Sequence, residues 1–530
     1  MAAAAAGKST HCGNEIKTQF CTKEGLYKAL KLSEYSKPIR LANNTPNNVP
    51  VRLSFVTIKG SADEECEDKI VFNVGRDMFL YNFRGSNKAP DMNHPIDRRT
   101  YKGPQPTCHD INMMTRTPTS IDLLIGFTAG QIQLMDPLQH QCRKCFNDER
   151  LIEKGAVTCV KWIPGSESKF LVSYNNPNIY IYDKNFNSLI TEPQLTTVKR
   201  GNGYTIEVCK NKQDTNPICR WIVGKEGVNE LAFSPDCKHL AVASQDGYLR
   251  VFDFEKQELI GSMRSYFGGL LCVCWSPDGK YIVTGGEDDL ITVWSCLEER
   301  VIARGEGHRS WVNVVAFDAH MTQVGDCRAD SDDEDYHSSS SHGHHNKTNT
   351  PRATERSIVS YRFGSVGDDT QLLLWEIGED VLKPQRVRTR STRTSTLNSN
   401  AVASIQPVWT HNSGNSVRLH NKHDISNHRG GATSGKYNTL NKLTSKHQNS
   451  VSHFTPVVEK DDLILGSKIC PRMSDMETLE PLVAKKISCD RLSALVFRED
   501  CIVTGTYEGH IYVWARPDDR TGKDGSKLIQ

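Results

Sequence analysis

The sequence predicts an all-β fold, a closed ring of seven small sheets, or β-propeller. Three observations carry that expectation. First, a phrase recurs at a fixed interval. Leu231-Ala232-Phe233-Ser234-Pro235-Asp236, leading to Ser244-Gln245-Asp246-Gly247-Tyr248-Leu249-Arg250-Val251-Phe252, returns 42 residues later as Val273-Cys274-Trp275-Ser276-Pro277-Asp278, leading to Trp294. Second, the runs within each unit are short and alternate with period two, which reads as strand rather than helix. Third, the units are punctuated by Ser-Pro-Asp and Asp-Gly, residues that suit tight turns for reasons of backbone geometry.

A period near 40, with three short apolar strands per unit, is the sequence form of WD40 blades. The units follow in order. The first has Val51–Val56, Ile70–Val74 and Met78–Phe83, and the second has Ile121–Phe127 and Gln131–Asp136. The third has Val157–Trp162, Phe170–Tyr174 and Asn178–Asp183, and the two quoted above are the fourth and fifth. The sixth starts at Trp311–Phe317, is interrupted, and resumes at Tyr361–Trp375. The seventh has Leu492–Phe497, Ile502–Gly505 and His510–Trp514, and runs out after its third strand. A ring with a missing strand leaves exposed edges. Closure is therefore expected from the N-terminal segment, residues 1–48, through Glu15–Tyr27.

Several units carry a recurrent polar set. Unit six has His308, Ser365, Asp369 and Trp375; unit five has Thr284, Asp288 and Trp294; unit seven has Thr504, Glu508 and Trp514. Histidine, serine and aspartate together can form a nucleophile triad. Here they fall at the repeat's structural positions without a glycine elbow around Ser365, so a satisfied buried network is the expected reading. No catalytic residue is assigned, and an enzyme is the least expected class.

Seven blades of about 40–45 residues need roughly 300 residues, so much of the 530-residue chain must be insertion and tail. Blades one to five and the start of blade six span 49–325. The stretch 326–355 breaks blade six with Ala329-Asp330-Ser331-Asp332-Asp333-Glu334-Asp335 and a Ser/His run, a composition expected to stay disordered. Ser331 before four acidic residues suits an acid-directed kinase. The rest of blade six is 356–380. The stretch 381–460 is a Ser/Thr/Asn/His-rich insertion with 11 Lys/Arg against one acidic residue between Val381 and Ser450; it is expected to be a disordered basic tether. A return segment and blade seven span 461–516, and 517–530 is a tail. A further polar stretch, Thr191–Gly227, keeps strand-like pieces at Tyr204–Val208 and Cys219–Val223.

Net charge +2 gives no global push toward nucleic acid or membrane, and no run of 18 apolar residues suggests a span. Neither a signal peptide nor a cofactor is expected. The 17 cysteines, scattered through strands, read as reduced thiols of a cytoplasmic or nuclear protein. Cys142 and Cys145 form one isolated CxxC without the second pair that zinc wants. His342, His344 and His345 lack ordered context, and no metal site is expected.

The loops leading into each first strand should gather on one rim. Two consecutive ones carry large aromatics, Ser265-Tyr266-Phe267-Gly268-Gly269 and His308-Arg309-Ser310-Trp311. Tyr, Trp and Arg anchor protein interfaces, so Tyr266, Phe267, Arg309 and Trp311 are the candidate partner-binding residues. The alternative is that Phe267 and Trp311 pack between blades.

The chain resembles the family of WD repeat-containing protein 20 and the dystrophia myotonica WD repeat-containing protein. The resemblance is carried by Asn14–Phe20, Glu24–Lys28, Gln105–Asp110, Val157–Trp162, Ser265–Trp294 and Cys470-Pro471-Arg472-Met473. The basic insertion departs from the Ser/Pro-rich linker of vertebrate members. The resemblance implies a non-catalytic activator of ubiquitin-specific proteases 12 and 46, acting with a second WD-repeat protein, the ubiquitin-protease-associated factor. It also implies that Phe267 and Trp311 lie on the protease-binding face. The rival classes are a ubiquitin-ligase substrate receptor and an RNA-associated scaffold.

Overall fold

Short β-branched and aromatic runs, each followed by a polar turn, fold as antiparallel meanders, and the meanders pack side by side into a ring. The computed structural model describes residues 16–30, 49–59, 66–86, 94–189, 191–210, 214–326, 356–382 and 464–517. Within them are seven blades. The fourth is the simplest: Val228–Phe233, His239–Ser244, Tyr248–Asp253 and Glu258–Arg264, each paired antiparallel with the next. In blades two to seven the first strand shifts register against the second near its start, as between Val228 and Glu230 or Leu270 and Cys272. Such bulges bend and twist a strand.

The core lies between blades. Seven apolar clusters each join neighbouring blades, and one of them joins the seventh blade (Cys501, Val503, Val513) to the first (Phe72, Phe79, Tyr81). Each large side chain buried there contributes roughly 1.5–3 kcal/mol. The ring is therefore held by packing all the way round rather than by one central core.

Closure comes from the N-terminal segment, with a correction to its bounds. Gly25–Ala29, not Glu15–Tyr27, is the fourth strand of blade seven, with Lys28 opposite Ala515 and Ala29 opposite Trp514. Gln19–Thr22 then doubles back as a fifth strand. Phe20 stacks on Tyr27 at 4.9 Å between ring centroids and lies 5.6 Å from Trp514. Gly25 turns this hairpin at φ +134°, where an added Cβ would stand 2.8 Å from Pro517 Cβ.

Four further features differ from the sequence reading. Blade two begins with Pro106–Ile111, whose alternation is masked by His109 and Asp110, although its burial pattern matches that of Val157–Trp162 and Leu270–Trp275. The stretch 191–227 is no mere insertion. Cys219–Val223 supplies the fourth strand of blade three, and Tyr204–Cys209 and Leu195–Gly201 extend that blade to six strands. The first two strands of blade six run on as Val312–Asp326 and Arg356–Gly367, well past Phe317. The return segment completes earlier blades: Glu477–Leu479 pairs parallel with Arg300–Gly305 of blade five, and Val483–Lys486 is the fourth strand of blade six. Ser331, His342, His344 and His345, and nearly all of the basic insertion, lie outside the described residues.

Candidate functional site

The two aromatic lead-in loops are built alike. Each hangs from a carboxylate in the turn between the second and third strands of its own blade. Asp288 Oδ2 accepts the Tyr266 N–H at 2.9 Å, and Asp369 Oδ2 accepts the Arg309 N–H at 3.0 Å. The far end of each loop is also tied down. The Glu287 N–H donates to the Gly269 carbonyl and the Asp368 N–H to the Trp311 carbonyl, both at 2.9 Å. Gly268 holds φ +61°, where a Cβ would meet the Glu287 side chain at 2.7 Å. A loop bracketed at both ends cannot fold its apolar side chains inwards. Phe267 is 73% exposed, Trp311 47% and Tyr266 38%, and Arg309 is also exposed. Phe267 and Trp311 therefore do not fill the space between blades. A pair of exposed aromatics on adjacent loops marks an interaction surface.

Trp311 also borders the mouth of the central channel. There Arg52, Leu271, Asp368, Arg491 and Tyr507 surround a cavity of about 330 Å³. Arg491 stacks over the Tyr507 ring at 4.4 Å and reaches Asp368 at 3.4 Å. The face thus offers apolar surface with cationic groups beside it.

Beneath the loops the two blades differ. In blade six, His308 Nδ1 meets Asp369 Oδ2 at 2.9 Å, His308 Nε2 meets Ser365 Oγ at 2.7 Å, and Trp375 Nε1 donates to Ser365 Oγ at 2.8 Å. All four side chains are buried or nearly so. Burial alone would push the Asp369 carboxyl up. The His308 ring and the N–H groups of Arg309 and Gln371 outweigh burial and hold it below its ordinary range. This chain ends in a tryptophan, not in an exposed nucleophile, so its geometry is that of a brace.

Blade five lacks that chain, which corrects the expectation for its three residues. Thr284 Oγ1 and Trp294 Nε1 are buried without a hydrogen-bond partner. Asp288 accepts from the Tyr266 N–H of the loop and from the Leu290 N–H of its own turn, the latter at 3.3 Å, and burial raises its pKa. Where blade six has His308, blade five has Ser265, whose hydroxyl donates to the Gly268 carbonyl at 2.6 Å. In blade seven, Trp514 Nε1 donates to Thr504 Oγ1 at 3.1 Å.

Blade five has a different support, which reading the sequence missed. The return segment buttresses the base of its loop: the Arg264 N–H donates to the Ile469 carbonyl at 2.8 Å, and Cys470 Sγ lies 3.7 Å from the Ser265 carbonyl. Arg304, fully buried, stacks its guanidinium 4.7 Å from the Tyr266 ring and donates to the Arg264 carbonyl at 3.3 Å. No periodic signal marks Arg304. Cys470 belongs to a segment that the sequence singled out without saying why.

Among the described residues, no group of three or more His, Cys, Asp or Glu could hold a metal ion, and no helix is long and apolar enough to cross a membrane. Cys142 and Cys145 lie on the outer strand of blade two.

A family model and two relatives agree with this architecture. The WD domain, G-beta repeat family matches residues 218–253 and 257–295, which are the fourth strand of blade three, blade four and the first three strands of blade five. WD repeat-containing protein 20 of Mus musculus is 42% identical over 98% of this chain and 99% of its own length. The WD repeat-containing protein 20 homolog of Caenorhabditis elegans is 34% identical over 98% of this chain and 78% of its own. Among solved structures, a chain from the crystal structure of the mitotic checkpoint complex aligns over 98% of this chain at a TM-score of 0.46 and 9% identity. A seven-bladed ring built on the WD pattern, matched end to end by the mouse protein, places the chain in the WD repeat-containing protein 20 family.

Proposed function

We propose that this protein is a non-catalytic activator of ubiquitin-specific proteases of the 12 and 46 type, acting beside a second WD-repeat factor in the cytoplasm or nucleus. The scaffold role follows from the family and the fold. The choice of partner rests wholly on the family resemblance, which implies that Phe267 and Trp311 lie on the protease-binding face. The observation that supports the docking face is the 73% exposure of Phe267 beside the 47% exposure of Trp311, on consecutive, rigidly bracketed loops. Aromatics of this kind, once buried against a partner, dominate interface energetics.

The mechanism is a population shift. A protease domain whose active-site loops fluctuate is only partly in its competent state. A partner that binds that state more tightly raises turnover without supplying a catalytic group. The exposed rim needs to contact the protease alone, not ubiquitin.

The test is hydrolysis of a ubiquitin-rhodamine substrate by purified protease 46 or 12, with and without this protein. Activation should appear mainly in kcat and should be lost in a folded Phe267→Ala/Trp311→Ala variant. Activation confined to KM, or retained by the double variant, would contradict the reading.

A further inference from the structure

Outside the docking face, the most definite unassigned chemistry is on the outer strand of blade two, Gln141–Phe146. In a regular strand, residues three apart point to opposite faces. Here a bulge intervenes: Cys142 stands opposite Met135, Lys144 opposite Leu134 and Cys145 opposite Gln133, with Arg143 as the extra residue. Met135 and Gln133 are two apart on the neighbouring strand and share a face, so the cysteines opposite them do too. Their sulfurs lie 3.9 Å apart, and both residues are exposed.

The bulge is held from inside the blade. The Arg143 guanidinium donates to Asp122 Oδ1, to Asp136 Oδ2 and to Ser120 Oγ, each at 2.6 Å, and both aspartates are almost wholly buried. Without Arg143 the buried Asp136 carboxylate would be left with backbone N–H partners alone, while Asp122 would keep Lys184; that loss is costly, so the register is fixed and the two thiols with it. One of them also has a donor aimed at it. The Tyr101 hydroxyl donates to Gln133 Oε1 at 2.8 Å, which turns the amide so that Gln133 Nε2 donates to Cys142 Sγ at 3.0 Å. That contact holds the Cys142 sulfur in place beside Cys145. Burial of its sulfur, with the neighbouring Cys142, pushes the Cys145 thiol up to about 11.

We propose that Cys142 and Cys145 form a redox-modifiable dithiol, oxidised by peroxide to an intramolecular disulfide. The Cys142 thiolate attacks a peroxide oxygen; the O–O bond breaks, and the leaving hydroxide is protonated to water. Cys145 sulfur then attacks the resulting sulfenic acid; an S–S bond forms, the S–O bond breaks, and a second water leaves with the thiol proton. Two thiols are oxidised and one hydrogen peroxide is reduced to two waters. Thiol reductants restore the pair. The site stands on blade two alone and is independent of the docking reading.

The test uses the full chain, reduced, dosed with hydrogen peroxide, alkylated with N-ethylmaleimide and cleaved before aspartate to give the fragment 136–147. The expected fragment is about 2 Da lighter and unalkylated, at doses where the exposed thiol Cys237 still alkylates fully, and reduction restores two alkylations. In a folded Lys144→Cys/Cys145→Ser variant the second thiol moves to the opposite face, and disulfide formation should slow by at least about tenfold. Two alkylations on the fragment at doses that already block Cys237 would overturn the proposal. Equally fast closure in the shifted variant would do the same.

Discussion

Blades five and six present the same kind of loop on opposite kinds of foundation. The first four strands of blade five are continuous in sequence from Leu270 to Gly305, and its buried Thr284 and Trp294 polar atoms make no hydrogen bonds. Blade six is assembled from three separated pieces, 312–326, 356–377 and 483–486, and carries the full His308–Ser365–Asp369–Trp375 chain. Apolar packing is non-directional and is enough where the chain itself keeps neighbouring strands together. Strands that arrive after long excursions need directional contacts to fix their register, and buried polar chains supply them. Blade five meets a different need: its loop gains rigidity from a late segment, through Ile469, Cys470 and Arg304.

The largest effect should therefore come from the brace of blade six. His308→Ala strips a partner from both the Asp369 carboxylate and Ser365. It should cost about 2–4 kcal/mol, read from the urea midpoint at constant m-value. Because Asp369 sits below its ordinary carboxylate range in the fold, that stabilisation is present above the ordinary range and is lost as pH falls through the folded value. Thr284→Val in blade five exchanges an unpaired buried hydroxyl for a methyl group and should cost less than about 1 kcal/mol or stabilise. Equal costs for the two variants would dissolve the contrast between the blades.

A smaller effect should follow at the loop itself. Asp288→Ala frees the Tyr266 and Leu290 N–H groups and should cost about 1–2 kcal/mol. Amide exchange should rise at Tyr266, while the Arg309 amide on blade six stays protected. Loosening of both loops together would mean that they form one unit rather than two.

These contrasts also mark what the chain discloses before folding. Seven units, the first three strands of all but the second, and the aromatic lead-in loops are legible, because period-two alternation and Asp/Gly turns are local properties. Pro106–Ile111 was obscured by its His and Asp, whose burial is set by neighbouring blades. Glu477–Leu479 and Val483–Lys486 are too short and polar to declare themselves; the blades they complete define them as strands. Arg304 under Tyr266 and the shared face of Cys142 and Cys145 depend on register and bulges, which no periodic pattern encodes. The brace in unit six could be read from residue types. Its failure in unit five could not, since Thr284 and Trp294 are the right types without the histidine that would join them.

The smallest stability effects and the largest functional ones should coincide at the rim. Phe267→Ala and Trp311→Ala remove exposed side chains and should each change stability by less than about 0.5 kcal/mol. Leu297, 88% exposed in the turn after the third strand of blade five, is a matched control on the opposite rim. The decisive measurement is the affinity of ubiquitin-specific protease 46 for the wild type and for these three single variants. The docking account predicts at least a tenfold loss, about 1.4 kcal/mol, for Phe267→Ala and for Trp311→Ala, with Leu297→Ala unchanged. Equal affinity across all three, or a loss only at Leu297, would contradict it.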